Sequence, residues 1–420
     1  MARPIVHVIG AGLAGLAAAV KLTPAPCEVI VHEAARQAGG RCRSFFDETI
    51  DATIDNGNHL LLSGNDAALA YLETTGGRHE LRGPARCEIA FADMASGERW
   101  TLRPNEGRLP WWVLFEQRRA PRTRAADYLS IVGLLRASRA ARIADAMACA
   151  GGLYQRLWAP LFLASLNTEP RGASAALAAA IVRGTLARGG RACHPLVAAN
   201  GLSRAFVDPA LKLLRRGGAQ VRFERRLRAL EFDGERLARL EFEHDSVALG
   251  AQDLVVLATP AHVAAALTPG LETPRAFNAI LNAHFSIAPP ARTPPILGVI
   301  NATTQWLFAY PDRLSVTVSD ANRLMDVSRE QLAADLWREV AGLTGLSDAL
   351  PGWRIVKERR ASFAATPEED ARRPASQTRW PNLLLAGDYV QTGLPATIEG
   401  AIRSGDSAAG LALGRLGAGW

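Results

Sequence analysis

The sequence predicts an α/β fold in which one domain is built on a parallel sheet and a second, partly helical α+β region is inserted into it. Three observations support this fold class. An apolar strand, a glycine-rich turn and an Ala-rich helix follow one another between residues 5 and 22. Further buried strands are expected at residues 28–32, 253–258 and 383–386. A helix expected at 397–413 follows the last of them, so both ends of the chain contribute to one domain.

Between these segments the pattern changes from buried strands to mixed elements. Two short strands with a turn at Ser96-Gly97 are expected between residues 82 and 100, and a proline-rich loop at 289–295. Apolar periodicity predicts helices at 125–166 (mostly helical, with breaks), 174–186, 201–214 and 327–343, and strands at 221–230 and 236–242.

Composition limits the class of protein and its compartment. Of 420 residues, 48% are hydrophobic and 21% are charged, which excludes a disordered chain. The net charge of +7 indicates either attraction to an anionic surface or simply an Arg-rich composition without a long basic tract. Five scattered cysteines without a C-x-x-C pair favour a reducing compartment and predict no metal site. We find no signal peptide or membrane-spanning run, so we expect a cytoplasmic protein.

The first expected strand ends in the motif GAGLAG at residues 10–15. Its glycines allow a tight turn, a close approach of a pyrophosphate to the backbone, and close packing of helix on strand. The N-terminus of the following helix favours bound phosphate. Glu33 ends the second strand 18 residues after Gly15 (33 − 15 = 18), where a carboxylate can bind the ribose of adenosine. The pattern predicts a Rossmann-type site formed by Gly10, Gly12, Leu13, Ala14, Gly15 and Glu33.

Two further motifs favour FAD over NAD. Gly39, Gly40 and Arg41 follow the second strand, where the glycines leave room for a ligand and the guanidinium can bind phosphate, although Arg41 could also be an ordinary exposed arginine. Near the C-terminus the sequence LLLAGDYV places Gly387 and Asp388 at the end of a buried strand. Asp388 can accept hydrogen bonds from a ribityl chain, and a helix beginning at Thr397 and Ile398 can face the flavin.

Together these motifs identify a family resemblance. The chain resembles the FAD-dependent amine oxidase and phytoene desaturase superfamily, whose FAD-binding domain is glutathione-reductase-like. Within it, the chain is most similar to the hydroxysqualene dehydroxylases of hopanoid biosynthesis. The segments that carry this finer resemblance are IDNGNHLLL at 54–62, LPWWVLF at 109–115, DYL at 127–129, the NGLS and FVDPA motifs within 200–210, and GDYVQTGLPATIEGA at 387–401.

The resemblance implies a cofactor, FAD, and a division of the chain. It implies an FAD-binding domain made of residues 1–71, 191–265 and 375–420, and a substrate-binding domain made of 72–190 and 266–374. The flavin-facing lysine of some amine oxidases has no counterpart that we can place, which weakens an amine-oxidation reading. Further cofactor contacts are implied at Ala34, Asn58, His59, Leu227 and Ala258.

The same resemblance implies a long isoprenoid lipid as substrate. The expected reaction is reductive removal of the hydroxyl of hydroxysqualene to give squalene. A carotenoid or phytoene-type desaturase and a non-catalytic prenyl-lipid escort of the same fold are the alternatives. His59 is the candidate proton donor, although a histidine in this turn could also have a purely structural role.

The implied partners follow from two observations. No second dinucleotide motif is present, so a net reduction requires an external electron donor that the sequence does not identify. The net charge alone would suit a nucleic acid as well as a membrane, but we expect no nucleic acid partner. Two tryptophans and a run of arginines suggest peripheral contact with the anionic cytoplasmic face of a membrane, although an ordinary core segment beside a solvated loop would look the same. These residues are Trp111, Trp112, Arg118, Arg119, Arg122 and Arg124.

Overall fold

The computed structural model describes residues 3–417. The strands in that range are β1 (Ile5–Ile9), β2 (Glu28–His32), β3 (Ser44–Asp47), β4 (Ala52–Asp55), β5 (Leu61–Leu62), β6 (Leu81–Arg82), β7 (Ile89–Asp93), β8 (Arg99–Leu102), β9 (Pro195–Ala198), β10 (Gln220–Arg222), β11 (Leu227–Asp233), β12 (Arg236–Phe242), β13 (Ser246–Ala248), β14 (Leu254–Leu257), β15 (Phe277–Phe285), β16 (Ile296–Ile300), β17 (Trp306–Ala309), β18 (Leu314–Val318), β19 (Trp353–Phe363) and β20 (Leu383–Leu385).

The α-helices are α1 (Leu13–Leu22), α2 (Asp66–Thr75), α3 (Ile131–Leu135), α4 (Ile143–Ala146), α5 (Gly151–Leu153), α6 (Ala159–Leu166), α7 (Ala175–Gly184), α8 (Asp208–Arg216), α9 (Ala261–Leu267), α10 (Arg329–Thr344), α11 (Pro367–Ala371) and α12 (Ile398–Arg415). Short 3-10 turns lie at Gly77–Glu80, Trp111–Leu114, Glu116–Arg118, Ala125–Ser130, Pro170–Gly172, Leu186–Arg188, Gly190–Ala192 and Ala321–Leu324, and π turns at Tyr154–Trp158 and Ser203–Val207.

The parallel sheet has the strand order β10-β2-β1-β14-β20. Every pairing in it is parallel, with β1 between β2 and β14. Helices α1 and α12 pack on one face through small residues such as Ala17 and Gly405. The antiparallel sheet β11-β12-β13 covers the other face, where Leu237 and Leu240 pack against Val255 and Leu257. The α/β fold class is therefore confirmed, and β1, α1 and β2 have the bounds that the sequence predicts.

A seven-stranded sheet forms the centre of the second region, with the order β19-β15-β18-β17-β16-β7-β8. Its pairings are antiparallel except for the parallel contact of β7 with β16. One face of the sheet packs on α10, where Phe285 contacts Trp337 with ring centroids 5.1 Å apart. The sequence analysis did not predict β15 to β19, and the pairing of β15 with β19 joins segments about 80 residues apart.

Three predicted elements differ from the structure. The strand expected at 221–230 is two strands, β10 and β11, because Glu224 adopts a positive φ of 55° and turns the chain from one sheet to the other. The long helix expected at 125–166 is a series of 3-10, α and π turns around a core that includes Trp158 and Phe162. The helix expected at 201–214 begins as the π turn Ser203–Val207 before it continues as α8.

Candidate cofactor and substrate site

The carboxyl ends of four parallel strands meet along one edge of the sheet. The N–H of Gly10 donates to the carbonyl of His32 at 2.7 Å, and the N–H of Ala258 donates to that of Ile9 at 2.8 Å. The N–H of Ala386 donates to Leu257 at 3.0 Å. The glycine turn, Ala258 and the Gly387-Asp388 pair therefore lie side by side, at the edge where open α/β sheets bind ligands.

The glycine turn leaves room for a ligand at one position and none at another. Gly10 has a φ of +107°, and an added Cβ there would lie 2.6 Å from the carbonyl oxygen of Ala258. Gly12 is the N-cap of α1 without a side-chain cap, and an added Cβ there would have no atom within 4 Å. The first N–H groups of α1 thus face open space beside Gly12, as a bound pyrophosphate requires.

Glu33 is held by main-chain groups on both sides of its carboxylate. Oε2 accepts a hydrogen bond from the N–H of Ala11 at 2.7 Å, and Oε1 accepts one from the N–H of Ala35 at 2.8 Å. The exposed Ala34 lies between these contacts. A carboxylate fixed in this way keeps lone pairs for further donors, so its geometry fits the two hydroxyls of an adenosine ribose.

The chain around Leu227 runs beside this carboxylate. The N–H of Arg225 donates to the carbonyl of Glu33 at 2.8 Å, and the Arg225 guanidinium lies 4.4 Å above the ring of Phe242. Leu227 begins β11 and is buried against Phe242 and its neighbours. The structure therefore brings the implied adenosine contacts into one place, although the sequence separates them by almost 200 residues.

Arg41 joins the N-terminal motif to the C-terminal one. Gly39 forms a β-bridge with Gly12, and two residues later Arg41 Nη2 donates to Asp388 Oδ1 at 2.7 Å. Arg41 Nη1 donates to the carbonyl of Ala361 on β19 at 2.6 Å. The charge of Asp388 raises the pKa of Arg41 above its ordinary value, so the guanidinium stays cationic. Arg41 therefore connects the glycine turn to the Gly387-Asp388 pair, so the two motifs lie close together in the fold.

The C-terminal motif is fixed by the first turns of α12. Thr397 is the N-cap, and its Oγ1 accepts a hydrogen bond from the N–H of Gly400 at 3.0 Å. The next residue, Ile398, packs against the same core as α1. The N–H of Gly387 donates to Ser404 Oγ at 2.8 Å, which ties the end of β20 to the helix. The C-terminal turn is thus held in place by α12 on one side and by Arg41 on the other.

His59 follows the turn that leaves β4, and it is half-buried. Burial, followed by the positive charge of Arg41, lowers its pKa to about 4. The imidazole is therefore neutral near pH 7, so it can donate an N–H hydrogen bond but carries no stored proton as an imidazolium. The role of His59 as a proton donor, which the sequence suggested, stays a prediction.

Sequence reasoning implied a role for Asn58 but missed the polar partners of this turn, which are Asn282, Thr317, Tyr310 and Glu358. Asn58 bonds to Asn282 and Thr317 on β15 and β18, and Tyr310 Oη donates to Asn58 Oδ1 at 3.4 Å. Asn56 Nδ2 donates to Glu358 Oε2 on β19 at 3.3 Å. The only sequence signal for these groups was the presence of polar residues within apolar runs, and the partner strands could not be identified without the fold.

The aromatic segment at 109–132 is part core and part surface. Trp112 is 5% exposed and packs edge-on against Tyr128 with centroids 5.3 Å apart, so its assignment to a membrane contact was wrong. Arg119 is also engaged internally, because it donates to the carbonyls of Val113, Leu114 and Thr123. The exposed apolar side chains, which we call the apolar ridge, are Leu109, Trp111, Leu114, Phe115, Leu129 and Val132.

None of the helices between residues 3 and 417 combines the length and the apolar character that a membrane-spanning segment needs. Within the same range no group of three or more His, Cys, Asp or Glu side chains is placed to hold a metal ion.

Known proteins match this chain over nearly its whole length. Residues 13–413 match the family of flavin containing amine oxidoreductases. The chain is 53% identical to the hydroxysqualene dehydroxylase of Rhodopseudomonas palustris over 97% of this chain and 98% of that protein. It is 45% identical to the hydroxysqualene dehydroxylase of Zymomonas mobilis, over 97% of this chain and 99% of that one.

Solved structures show the same fold at low sequence identity. A triple mutant of putrescine oxidase matches with a TM-score of 0.72 at 16% identity, over 98% of this chain and 99% of that one. Cyclohexylamine oxidase from Brevibacterium oxydans matches with a TM-score of 0.71 at 15% identity, over 99% and 100% of the two chains. The chain therefore belongs to the flavin containing amine oxidoreductases and, within them, to the hydroxysqualene dehydroxylase family, as an FAD-dependent oxidoreductase.

Proposed function

We propose that this enzyme removes the hydroxyl group of hydroxysqualene reductively and releases squalene for hopanoid biosynthesis. The observation that carries the proposal is the 53% identity, over 97% of the chain, to a protein named hydroxysqualene dehydroxylase. Because the chain contains no second dinucleotide motif, the electrons come from an external donor.

We also propose how the chain is divided between cofactor and substrate. Residues 1–71, 191–265 and 375–420 form the FAD-binding domain, and 72–190 and 266–374 form the substrate-binding domain; residues 1–2 and 418–420 lie outside the described range. The separate apolar cores of the two sheets support this division in outline, while Leu72 and Leu81 pack in the core of the parallel sheet. The residues proposed to hold FAD are Gly10, Gly12, Leu13, Ala14, Gly15, Glu33, Ala34, Gly39, Gly40, Arg41, Asn58, His59, Leu227, Ala258, Gly387, Asp388, Thr397 and Ile398.

In this mechanism each part of the chain has a physical task. Reduced FAD, when bound, would supply the hydride that replaces the hydroxyl group. The glycine turn and α1 would bind its pyrophosphate, and Glu33 and Asp388 would accept hydrogen bonds from its ribose and ribityl hydroxyls. The neutral imidazole of His59 donates a hydrogen bond to the departing hydroxyl oxygen, which stabilises negative charge as it develops there.

Apolar side chains near the proposed cofactor site suit a polyene substrate. Leu60 follows His59 directly, Ala396 precedes the N-cap of α12, and both pack against the helical core that contains Trp158. Phe277 on β15 stands edge-on to His262, with centroids 6.4 Å apart. Apolar side chains in these places would help to keep water away from a charged, carbon-centred reaction.

We further propose that the apolar ridge rests on the anionic cytoplasmic face of a membrane, where the lipid substrate resides. Leu109 is 80% exposed and Leu114 is 65% exposed, which is unusual for clustered apolar side chains. The guanidinium of Arg118 lies 4.7 Å above the ring of Trp111, so a cation accompanies the exposed aromatic group. Arg124 adds exposed positive charge, whereas Arg122 is paired with Glu98 at 3.1 Å.

The reaction is tested by incubating chemically reduced enzyme with hydroxysqualene without oxygen and identifying the product. Squalene is expected, and wild-type enzyme that leaves hydroxysqualene unchanged contradicts the proposal. Conversion of phytoene instead would assign the enzyme to the desaturases.

The membrane contact is tested by co-sedimentation with phosphatidylglycerol-containing vesicles at low salt. Leu114→Glu is expected to abolish most binding, because a charge on the apolar ridge opposes insertion. Phe46→Glu is the matched control, because Phe46 is 59% exposed on β3, outside the ridge. Equal binding of both variants and the wild-type protein would refute the contact.

A further inference from the structure

The face of the seven-stranded sheet that lies away from α10 carries a buried pair of polar side chains. Asn282 on β15 stands directly opposite Thr317 on β18, and the two residues are 1% and 8% exposed. Their chain neighbours point to the other face, where Leu281 and Val316 pack in the apolar core beside α10. Buried polar groups cost free energy unless they are bonded, so a sheet that only had to pack would carry apolar residues here.

These polar groups bond to the turn that leads to His59. Asn282 Oδ1 accepts hydrogen bonds from Thr317 Oγ1 at 2.8 Å and from the N–H of Asn58 at 3.3 Å. Asn58 Nδ2 donates to Thr317 Oγ1 at 3.1 Å. The sheet therefore holds both the main chain and the side chain of Asn58, which leaves this residue little freedom to move.

The preceding residue is confined as well. An added Cβ on Gly57 would lie 3.2 Å from Asn282 Nδ2, and this buried amide nitrogen has no hydrogen-bond partner among the described residues. His59 follows Asn58, and the positive charge of Arg41 contributes to the lowered pKa of its imidazole. Arg41 in turn donates a hydrogen bond to Asp388 in the C-terminal motif. Residues 57–59 thus connect the seven-stranded sheet to the proposed cofactor site around Arg41.

We propose that Asn282 and Thr317 are positioning residues that act through Asn58 to set the place of His59 beside the cofactor. Part of this inference rests on the proposed function, because His59 acts there on the departing hydroxyl. The effect on the cofactor's surroundings does not depend on the substrate.

Thr317→Val is the main test, since it keeps the branched shape of the side chain and removes the hydroxyl that links Asn58 to Asn282. Purified holoenzyme is expected to bind FAD, to show a shifted flavin absorption and fluorescence spectrum, and to lose about 100-fold in kcat with KM nearly unchanged, because small displacements of reacting groups are costly. Thr317→Ser restores the hydroxyl and is expected to recover both the spectrum and the turnover.

Gln305→Met is the matched control. Gln305 makes two hydrogen bonds to the main chain of Ser319 across the same sheet, at 2.8 and 3.1 Å, and neither involves the turn. Its loss is expected to lower thermal stability without a change in flavin spectrum or kcat. Asn282→Ala provides a second variant in case Thr317→Val folds poorly.

The proposal is overturned if Thr317→Val and Asn282→Ala keep the wild-type flavin spectrum, keep kcat within about twofold, and lose only stability, as Gln305→Met does. Failure of wild-type enzyme to convert hydroxysqualene would refute the proposed function alone. The spectral comparison between variants would still decide the positioning role.

Discussion

Gly10 is tightly packed, whereas an added Cβ on Gly12 would meet open space. Alanine substitutions at these two positions therefore test folding and FAD binding separately. Gly12→Ala places a Cβ in open space, and Gly12 has a φ of −72°, which alanine adopts readily. The cost to the apoprotein is a poorer N-cap, about 0.5–1 kcal/mol. A pyrophosphate that approaches this backbone closely would meet the new methyl group, so FAD affinity should fall at least about tenfold, which is about 1.4 kcal/mol.

Gly10→Ala should behave differently. The new Cβ would lie 2.6 Å from the carbonyl oxygen of Ala258, below the 3.0 Å that real Cβ atoms keep, and φ is +107°. Backbone strain and overpacking each cost about 1–3 kcal/mol, so the apoprotein itself should lose at least about 2 kcal/mol of stability.

The assay separates folding from binding. Urea unfolding of the apoproteins, followed by far-UV circular dichroism, gives the stability difference, and FAD titration followed by flavin fluorescence gives Kd. If Gly12→Ala binds FAD with wild-type affinity while it remains folded, the pyrophosphate does not lie against this turn, and the reasoning about the cofactor site is wrong.

Three further predictions follow from single interactions. His7 and His32 are buried and hydrogen-bonded to each other at 3.1 Å, and burial lowers their pKa values to about 4 and about 3. In the unfolded chain these rings take up protons as the pH drops below 6.5, whereas in the folded chain they stay neutral until the pH approaches 4. The free energy of unfolding therefore falls as the pH drops below 6.5 and levels off near the folded pKa values. Urea unfolding should show a loss of at most about 2 kcal/mol per ring between pH 7 and 5. The double variant His7→Val, His32→Phe should flatten this dependence, and an unchanged slope would exclude the pair as its cause. Arg41→Gln should weaken FAD binding about tenfold or more, because it removes the charged hydrogen bonds of the guanidinium. Arg43→Gln loses only a bond to the carbonyl of Gly40 and should bind FAD normally in the same titration. Equal Kd values for the two variants would contradict the role of Arg41. His59→Ala saturated with FAD should lose about 100-fold in kcat, and unchanged turnover of hydroxysqualene would remove His59 from the mechanism.

The family of this chain and its cofactor could be recognised from features that are local in the sequence. The turn at residues 10–15 lies between a strand and a helix whose bounds were predicted correctly, because each is a short, continuous apolar segment with a glycine or proline boundary. The same holds for β14, β20 and α12 to within one or two residues. Such segments form the same element in almost any context, so their chemistry can be recognised without the fold.

The surroundings of His59 and the character of Trp112 depend on contacts between distant segments. Asn282 and Thr317 become partners of Asn58 only when β15 pairs with β18 and the sheet meets the turn after β4. Trp112 and Trp111 are adjacent and chemically identical, yet one is buried against Tyr128 and the other is exposed. Local motifs, with the family resemblance that they carry, were enough to identify FAD as the cofactor. Burial, strand pairing and the pKa of His59 were decided by tertiary packing, because desolvation and hydrogen bonding depend on which atoms surround a group in space.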